Sequence, residues 1–235
     1  MGRPREHDGT VRLALLEAAE RLVDEQGAAA LSARNVADAA ATTTRAVYSV
    51  FGSMTGLLEA LAIRLFELLD EALDAVVLTD DPRADLIHAS IDGFRRVALA
   101  HAPLYNLVFL RVVPDITLGP EFHAVANATF GRLESLVKRL APSGRRRPTT
   151  LELTLTVHAL TEGLANMELR GALGPPTEAE HIWRAALTAL LASASPTSAA
   201  DHHQGSTQTS AMKSPLGPNV TASTPASDRT SRLVE

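Results

Sequence analysis

The chain has no cysteine among its 235 residues. Disulfides, thiolate zinc sites and cysteine nucleophiles are therefore excluded. Aromatic residues make up only 4%, and β-branched runs are missing, while Ala and Leu, which head the helix-propensity ranking, are everywhere. This composition predicts an all-α fold. No apolar run reaches the roughly 18 to 20 residues needed to cross a bilayer, so no membrane partner is expected. The opening Met1-Gly2-Arg3-Pro4-Arg5-Glu6 has no apolar stretch behind its charges, unlike a secretory signal, and the expected compartment is the cytoplasm. The sequence also shows no glycine-rich phosphate loop, no nucleophile motif and no cluster of Asp, Glu and His in a metal-like pattern. An enzyme is the weaker reading, with no catalytic residue, cofactor or metal site expected.

A hydrophobic fraction of 46% is enough to bury a core. The net charge of −5 argues against nucleic acid as a partner unless the basic surface is local. In the first sixty residues the acids slightly outnumber Arg3, Arg5, Arg12, Arg21, Arg34 and Arg45, which argues against very tight non-specific DNA binding.

Apolar periodicity predicts a first helix from about Gly9 to Gln26, closed by Gly27. Ser32 is placed to cap a second helix ending near Ala40. A short third helix covers about Thr43 to Val50, and Ser53 caps a long fourth one. Further helices are expected over about Pro82 to Ala100, Pro103 to Val112, Glu121 to Leu140, Thr149 to Arg170 and Thr177 to Ala194. Thr177 and Glu180 have capping-box spacing. The loop holding Arg145, Arg146 and Arg147 reads as solvated. The organisation expected is a basic arm over 1–9, a three-helix DNA-binding unit over 10–55, a larger bundle over 56–194 and a disordered tail over 195–235, where Ser, Thr, Pro and Gly replace the apolar pattern.

Two short helices joined by a tight turn, the second with an exposed polar face, fit the helix-turn-helix plan. That face offers Thr42, Thr43, Thr44, Arg45, Tyr48 and Ser49, with Ala46, Val47 and Val50 behind it. Hydroxyls at a helix start suit phosphate oxygens, and an arginine reaches a guanine edge or a phosphate. By spacing alone, a surface helix with chance polar residues fits equally well. The arm carrying Arg3 and Arg5 suits an A·T-rich minor groove, or is simply a solvated start of chain.

The segments Ala18-Ala19-Glu20-Arg21-Leu22, Glu25-Gln26-Gly27, Leu31-Ser32-Ala33-Arg34-Asn35-Val36-Ala37-Asp38-Ala39-Ala40 and Arg45-Ala46-Val47-Tyr48-Ser49-Val50-Phe51-Gly52-Ser53 resemble the DNA-binding domain of the tetracycline-repressor family. The resemblance implies a homodimer that sets two recognition helices on a pseudopalindromic double-stranded DNA operator, with Thr43, Thr44, Arg45 and Tyr48 toward DNA; Ser32 is a further candidate DNA contact. Three positions depart from it. Ala41 stands where the family has its turn glycine and strains the turn by about 1 kcal/mol if that position needs positive φ, Thr42 replaces the following valine, and Met54 replaces a lysine, which removes one phosphate contact.

The second part is expected to hold a small-molecule effector. Phe94, Tyr105, Phe109 and Phe130 line a cavity or fill a core. The segments Pro103-Leu104-Tyr105-Asn106-Leu107-Val108-Phe109 and Gly163-Leu164-Ala165-Asn166-Met167-Glu168-Leu169 resemble the C-terminal domain of one subgroup of that family, which shows Trp-x-x-x-His-Gly. The aligned residues here run from His158 to Gly163, with Glu162 in place of the histidine. His158 and Glu162 share a helix face, as an interface pair or as a polar anchor in the pocket. Gly163, Ile182, Trp183, Leu187 and Leu190 are the expected dimer face of the last two helices. The function expected is a ligand-responsive repressor of transcription, with a helical interaction module whose DNA-binding motif is weakened as the alternative.

Overall fold

The computed structural model describes residues 5–109, 118–140 and 148–193, with 5–8 and 193 as helix backbone. The described residues form helices and connecting turns: α1 Arg5–Gln26, α2 Ala33–Ala39, α3 Thr44–Phe51, α4 Met54–Asp74, α5 Pro82–His88, α6 Arg96–Ala100, α7 Ala102–Phe109, α8 Pro120–Lys138, α9 Thr150–Leu169 and α10 Pro176–Ser193. A π-helical segment, Ala89–Arg95, joins α5 to α6, so 82–100 is one continuous helix as the pattern predicted.

Each of the three short helical starts in the first part has its own hydroxyl cap. Ser32 Oγ accepts from the Asn35 amide, Thr43 Oγ1 from the Ala46 amide and Ser53 Oγ from the Gly56 amide, at 3.1, 3.2 and 3.0 Å. Each such cap is worth about 1 kcal/mol. Gly27 closes α1 at φ 80° and donates to Val23 O, in a left-handed geometry that suits glycine.

Two expectations are corrected at helix starts. α1 begins at Arg5, so the extended arm does not reach residue 9, and Gly9 lies inside a helix. The side chain of Thr177 does not cap α10, because that helix already starts at Pro176, where a missing N–H costs nothing. The capping box lies instead at α9, where Thr149 and Glu152 exchange both bonds. Arg3, the loop from Arg145 to Arg147, the end of the helix expected through Val112 and the tail from 195 lie outside the described residues.

α4 is central. Its buried face (Leu57, Leu61, Leu65, Phe66, Leu69) meets Leu15, Leu16 and Leu22 of α1, Val36 of α2 and Val47 of α3 on one side. On the other it meets Val97, Leu104, Leu107 and Phe122. Apolar packing thus runs without a gap across residue 55, where a domain boundary was expected. A second cluster joins Ile91, Tyr105, Leu164, Trp183 and Leu187, and a third joins Leu86, Val137, Leu153, Val157 and Leu191.

Polar ties hold the helices in place. Asp85 is buried, and it accepts from the Thr79 amide and hydroxyl and from Arg139. Burial pulls its carboxyl upward, but these bonds outweigh that and hold it below the ordinary value. Arg95 forms a two-bond pair with Glu168, at 2.9 and 2.7 Å, and Trp183 Nε1 donates to the same carboxylate at 2.8 Å. Nothing in the sequence pattern singled out Arg95 or Glu168.

Candidate nucleic-acid interface and ligand cavity

α2 and α3 are joined through residues 40 to 43. The end of α2 is a Schellman motif: Thr42 N donates to Ala37 O and Ala41 N to Asp38 O, at 2.9 and 3.2 Å. Its left-handed position is Ala41, at φ 51°, the one non-glycine with positive φ among the described residues. The same motif closes α9 with Gly171 at φ 72°. The strain expected at Ala41 is therefore present. Ala41→Gly is predicted to raise the unfolding free energy by about 1 kcal/mol. Urea unfolding checks this, and an unchanged or lower midpoint would mean that the turn relaxes around the alanine.

α3 sorts its residues as the pattern predicted. Val47 is fully buried, and Ala46 and Val50 are half-buried. Thr43, Thr44, Arg45, Tyr48 and Ser49 are exposed together, with Tyr48 at 49%. Thr42 and Ser32 are half-buried at the rim. Capping uses a lone pair of Ser32 and of Thr43, which leaves each O–H as a donor. Arg12 stacks over the Phe51 ring at 5.8 Å and steadies the far end of α3. Arg34 lies 3.9 Å from Asp38, whereas Arg45 makes no ion pair among the described residues. Met54 is half-buried against the core and presents no charge.

A cavity of about 60 Å³ lies between α4, the π segment, α7, α8 and α9. Its walls include Phe66, Phe94, Phe109 and Phe130, with Ser90, Thr129, His158 and Thr161 as its polar groups. Of the residues expected at a ligand, Phe94, Phe109, Phe130 and His158 line it. Tyr105 does not. Its ring is buried and stacked on Phe109, with centroids 4.7 Å apart, and its hydroxyl donates to Glu162 O at 3.1 Å. Burial, with the Glu162 charge adding to it, raises the Tyr105 hydroxyl well above its ordinary value. Glu162 is also corrected, because it stands outside the lining, with Oε2 at 3.7 Å from His158 Nε2. Burial lowers the His158 imidazole below its ordinary value, and the Glu162 charge opposes this only in part.

Sequence reasoning missed Phe66, Ser90, Thr129 and Thr161. Phe66 reads as one more apolar residue of the α4 stripe. Ser90 and Phe94, four residues apart, share one face of the π-helical segment and so one cavity wall.

The expected dimer face needs a larger correction. Trp183 and Leu187 are fully buried in their own protomer, against Ile91, Tyr105 and Leu164. They have no surface left for a partner. Ile182 and Leu190 are half-buried, and Gly163 is exposed, with open space where a Cβ would sit. The outer faces of α9 and α10 carry Ala159, Gly163 and Met167, and Ala185 and Ala189. Among the described residues no three His, Asp or Glu side chains gather as a metal-ligand group, and no single helix is long and apolar enough to cross a membrane.

Residues 15–61 match the family model for bacterial regulatory proteins of the tetR family, and residues 87–190 match that for the tetracyclin repressor-like C-terminal domain. No curated relative matches the chain in sequence. Among solved structures, NalD, the secondary repressor of the MexAB-OprM multidrug efflux pump in Pseudomonas aeruginosa, is 25% identical with a TM-score of 0.53, over 78% of this chain and 96% of its own. PfmR, a TetR family transcriptional regulator from Thermus thermophilus, is 22% identical with a TM-score of 0.57, over 76% and 97%. The multidrug binding protein EbrR, complexed with imidazole, is 22% identical with a TM-score of 0.56, over 80% and 93%. The chain belongs to the tetracycline-repressor family of bacterial regulatory proteins, which are DNA-binding transcriptional regulators and not enzymes.

Proposed function

We propose that the chain is a dimeric, cytoplasmic repressor that a small apolar or amphipathic molecule releases from its operator. One observation carries this reading: Phe66, Leu69 and Leu73, on the cavity wall, belong to α4, which only Gly52 and Ser53 separate from the recognition helix α3. A cavity of about 150 Å³ is enough for benzene, and this one is about 60 Å³. A ring-sized effector fits only if the walls give way. If it binds the widened arrangement better, it shifts α4, and with it the spacing of two recognition helices. The neighbour described as a multidrug binding protein with bound imidazole supports such a use of the fold.

In this reading two copies meet through the small outer residues of α9 and α10, and their α3 helices enter successive major grooves. The footprint is then pseudopalindromic, with half-sites about 34 to 36 Å apart or a multiple of it. A gel shift against the DNA upstream of its own gene tests the reading. Arg45→Ala is expected to cost about 1 to 3 kcal/mol and to relax preference at one base position. Tyr48→Phe is expected to weaken all sequences alike, as loss of a phosphate contact does. Unchanged affinity in both variants, with helicity intact by circular dichroism, removes α3 from the interface.

A further inference from the structure

The cavity carries more information than its position. Its three hydroxyls have already committed their hydrogens to their own helices. Ser90 Oγ donates to Leu86 O, Thr129 Oγ1 to Val125 O and Thr161 Oγ1 to His158 O, at 2.8, 3.2 and 2.9 Å. What these oxygens have left to offer is lone pairs. Among the described residues no Lys, Arg, Asp or Glu lines the cavity. An anion entering it would lose its water without gaining a cation, and a cation would find no carboxylate.

His158 is the remaining polar group, wedged between aromatic rings, with Phe130 edge-on at 5.9 Å and Phe109 at 6.4 Å. Burial keeps the imidazole neutral, so one ring nitrogen bears hydrogen and the other a lone pair. Glu162 Oε2 lies 3.7 Å from Nε2, too far for a hydrogen bond but close enough to draw the ring hydrogen to that side. Nδ1 is then the acceptor. The hydroxyl oxygens and this nitrogen present the same chemistry.

We propose that the cavity selects an uncharged, single-ring, largely apolar molecule bearing one hydrogen-bond donor, phenol-like in character, and that His158 is the acceptor that sets this preference. The inference rests on the reading of the cavity as the effector site. Four polar groups that offer lone pairs, aromatic walls and no ionised group among the described lining residues name the class of effector.

The test is calorimetric titration of the full-length protein with phenol, toluene, benzoate and benzylammonium, followed by operator release with each. Toluene has the shape of phenol without the donor. Phenol and toluene are expected to bind and the two ions not to bind. His158→Phe is expected to weaken phenol about tenfold, the scale of one lost hydrogen bond, and to leave toluene no weaker. Should that variant fail to fold, the ¹⁵N resonances of His158 in the native protein decide. Phenol is expected to move the unprotonated nitrogen, and toluene to leave it in place. Equal weakening of phenol and toluene in the variant, an unmoved nitrogen, or either ion binding as tightly as phenol overturns the proposal. Binding of none of the four overturns it together with the effector site itself. Phenol selected through His158 without any release of operator leaves the ligand class standing and sinks only the release of DNA.

Discussion

Glu168→Gln is expected to lower the unfolding free energy by about 3 to 5 kcal/mol, the cost of breaking a buried ion pair from one side. The side chains of Arg95 and Glu168 are 11% and 9% exposed. Glu168 Oε1 accepts from Arg95 Nη2, and Oε2 accepts from both Arg95 Nε and Trp183 Nε1. A carboxylate meets all three donors. An amide has one oxygen, so its NH₂ faces the guanidinium in either orientation, and the indole as well in one of them, donor against donor. Arg95 is left with the Pro176 carbonyl and with Glu180 at 3.6 Å, whose side chain is half-exposed. Because domains are stable by about 5 to 15 kcal/mol, such a loss takes a large share of the total. Urea unfolding at fixed protein concentration measures it. The double variant Arg95→Leu with Glu168→Leu is expected to recover part of the loss, since a pair replaced by apolar groups leaves no buried charge behind. A loss below about 1 kcal/mol would place the pair with solvated surface pairs instead.

The same network shows why the sequence was readable in some places and silent in others. Periodicity and caps are local, and Ser32 and Ser53 stand where their chemistry demands, so α2, the start of α4 and the exposed face of α3 were legible, while α1 starts four residues before the expected Gly9 and Thr43 proved to be a cap. The strain at Ala41 was legible too, because a turn type dictates the sign of φ at one position. The cavity was legible only through its aromatic residues on single helices. Ser90, Thr129 and Thr161 come from three different helices and meet only in three dimensions. Tyr105 looked like a pocket residue and proved to be core, because its hydroxyl found a carbonyl on α9. Trp183 and Leu187 misled for a related reason. An amphipathic helix shows that it has an apolar face, but not whether that face meets its own protomer or a second one.

That last distinction gives the other large effect. Ala185 lies on the exposed side of α10, and Leu187, two residues on, is fully buried. Ala185→Glu is expected to leave the protomer folded, with helicity and monomer stability close to those of the parent. In the proposed dimer it sets an unpaired carboxylate against its symmetry mate, since a two-fold interface brings the same patch from both copies together. The protein is then expected to sediment as a monomer. Operator affinity is expected to fall about 10²- to 10⁴-fold, because the second half-site no longer binds at the high effective concentration of a linked partner. Leu187→Glu is expected to behave differently. It buries a charge among Ile91, Leu164 and Trp183 within one chain, and its consequence is loss of the fold itself, seen as lost helicity at any protein concentration. Sedimentation and circular dichroism together separate the two. An Ala185→Glu protein that remains a dimer and holds its operator as tightly as the parent would move the interface away from the outer faces of α9 and α10.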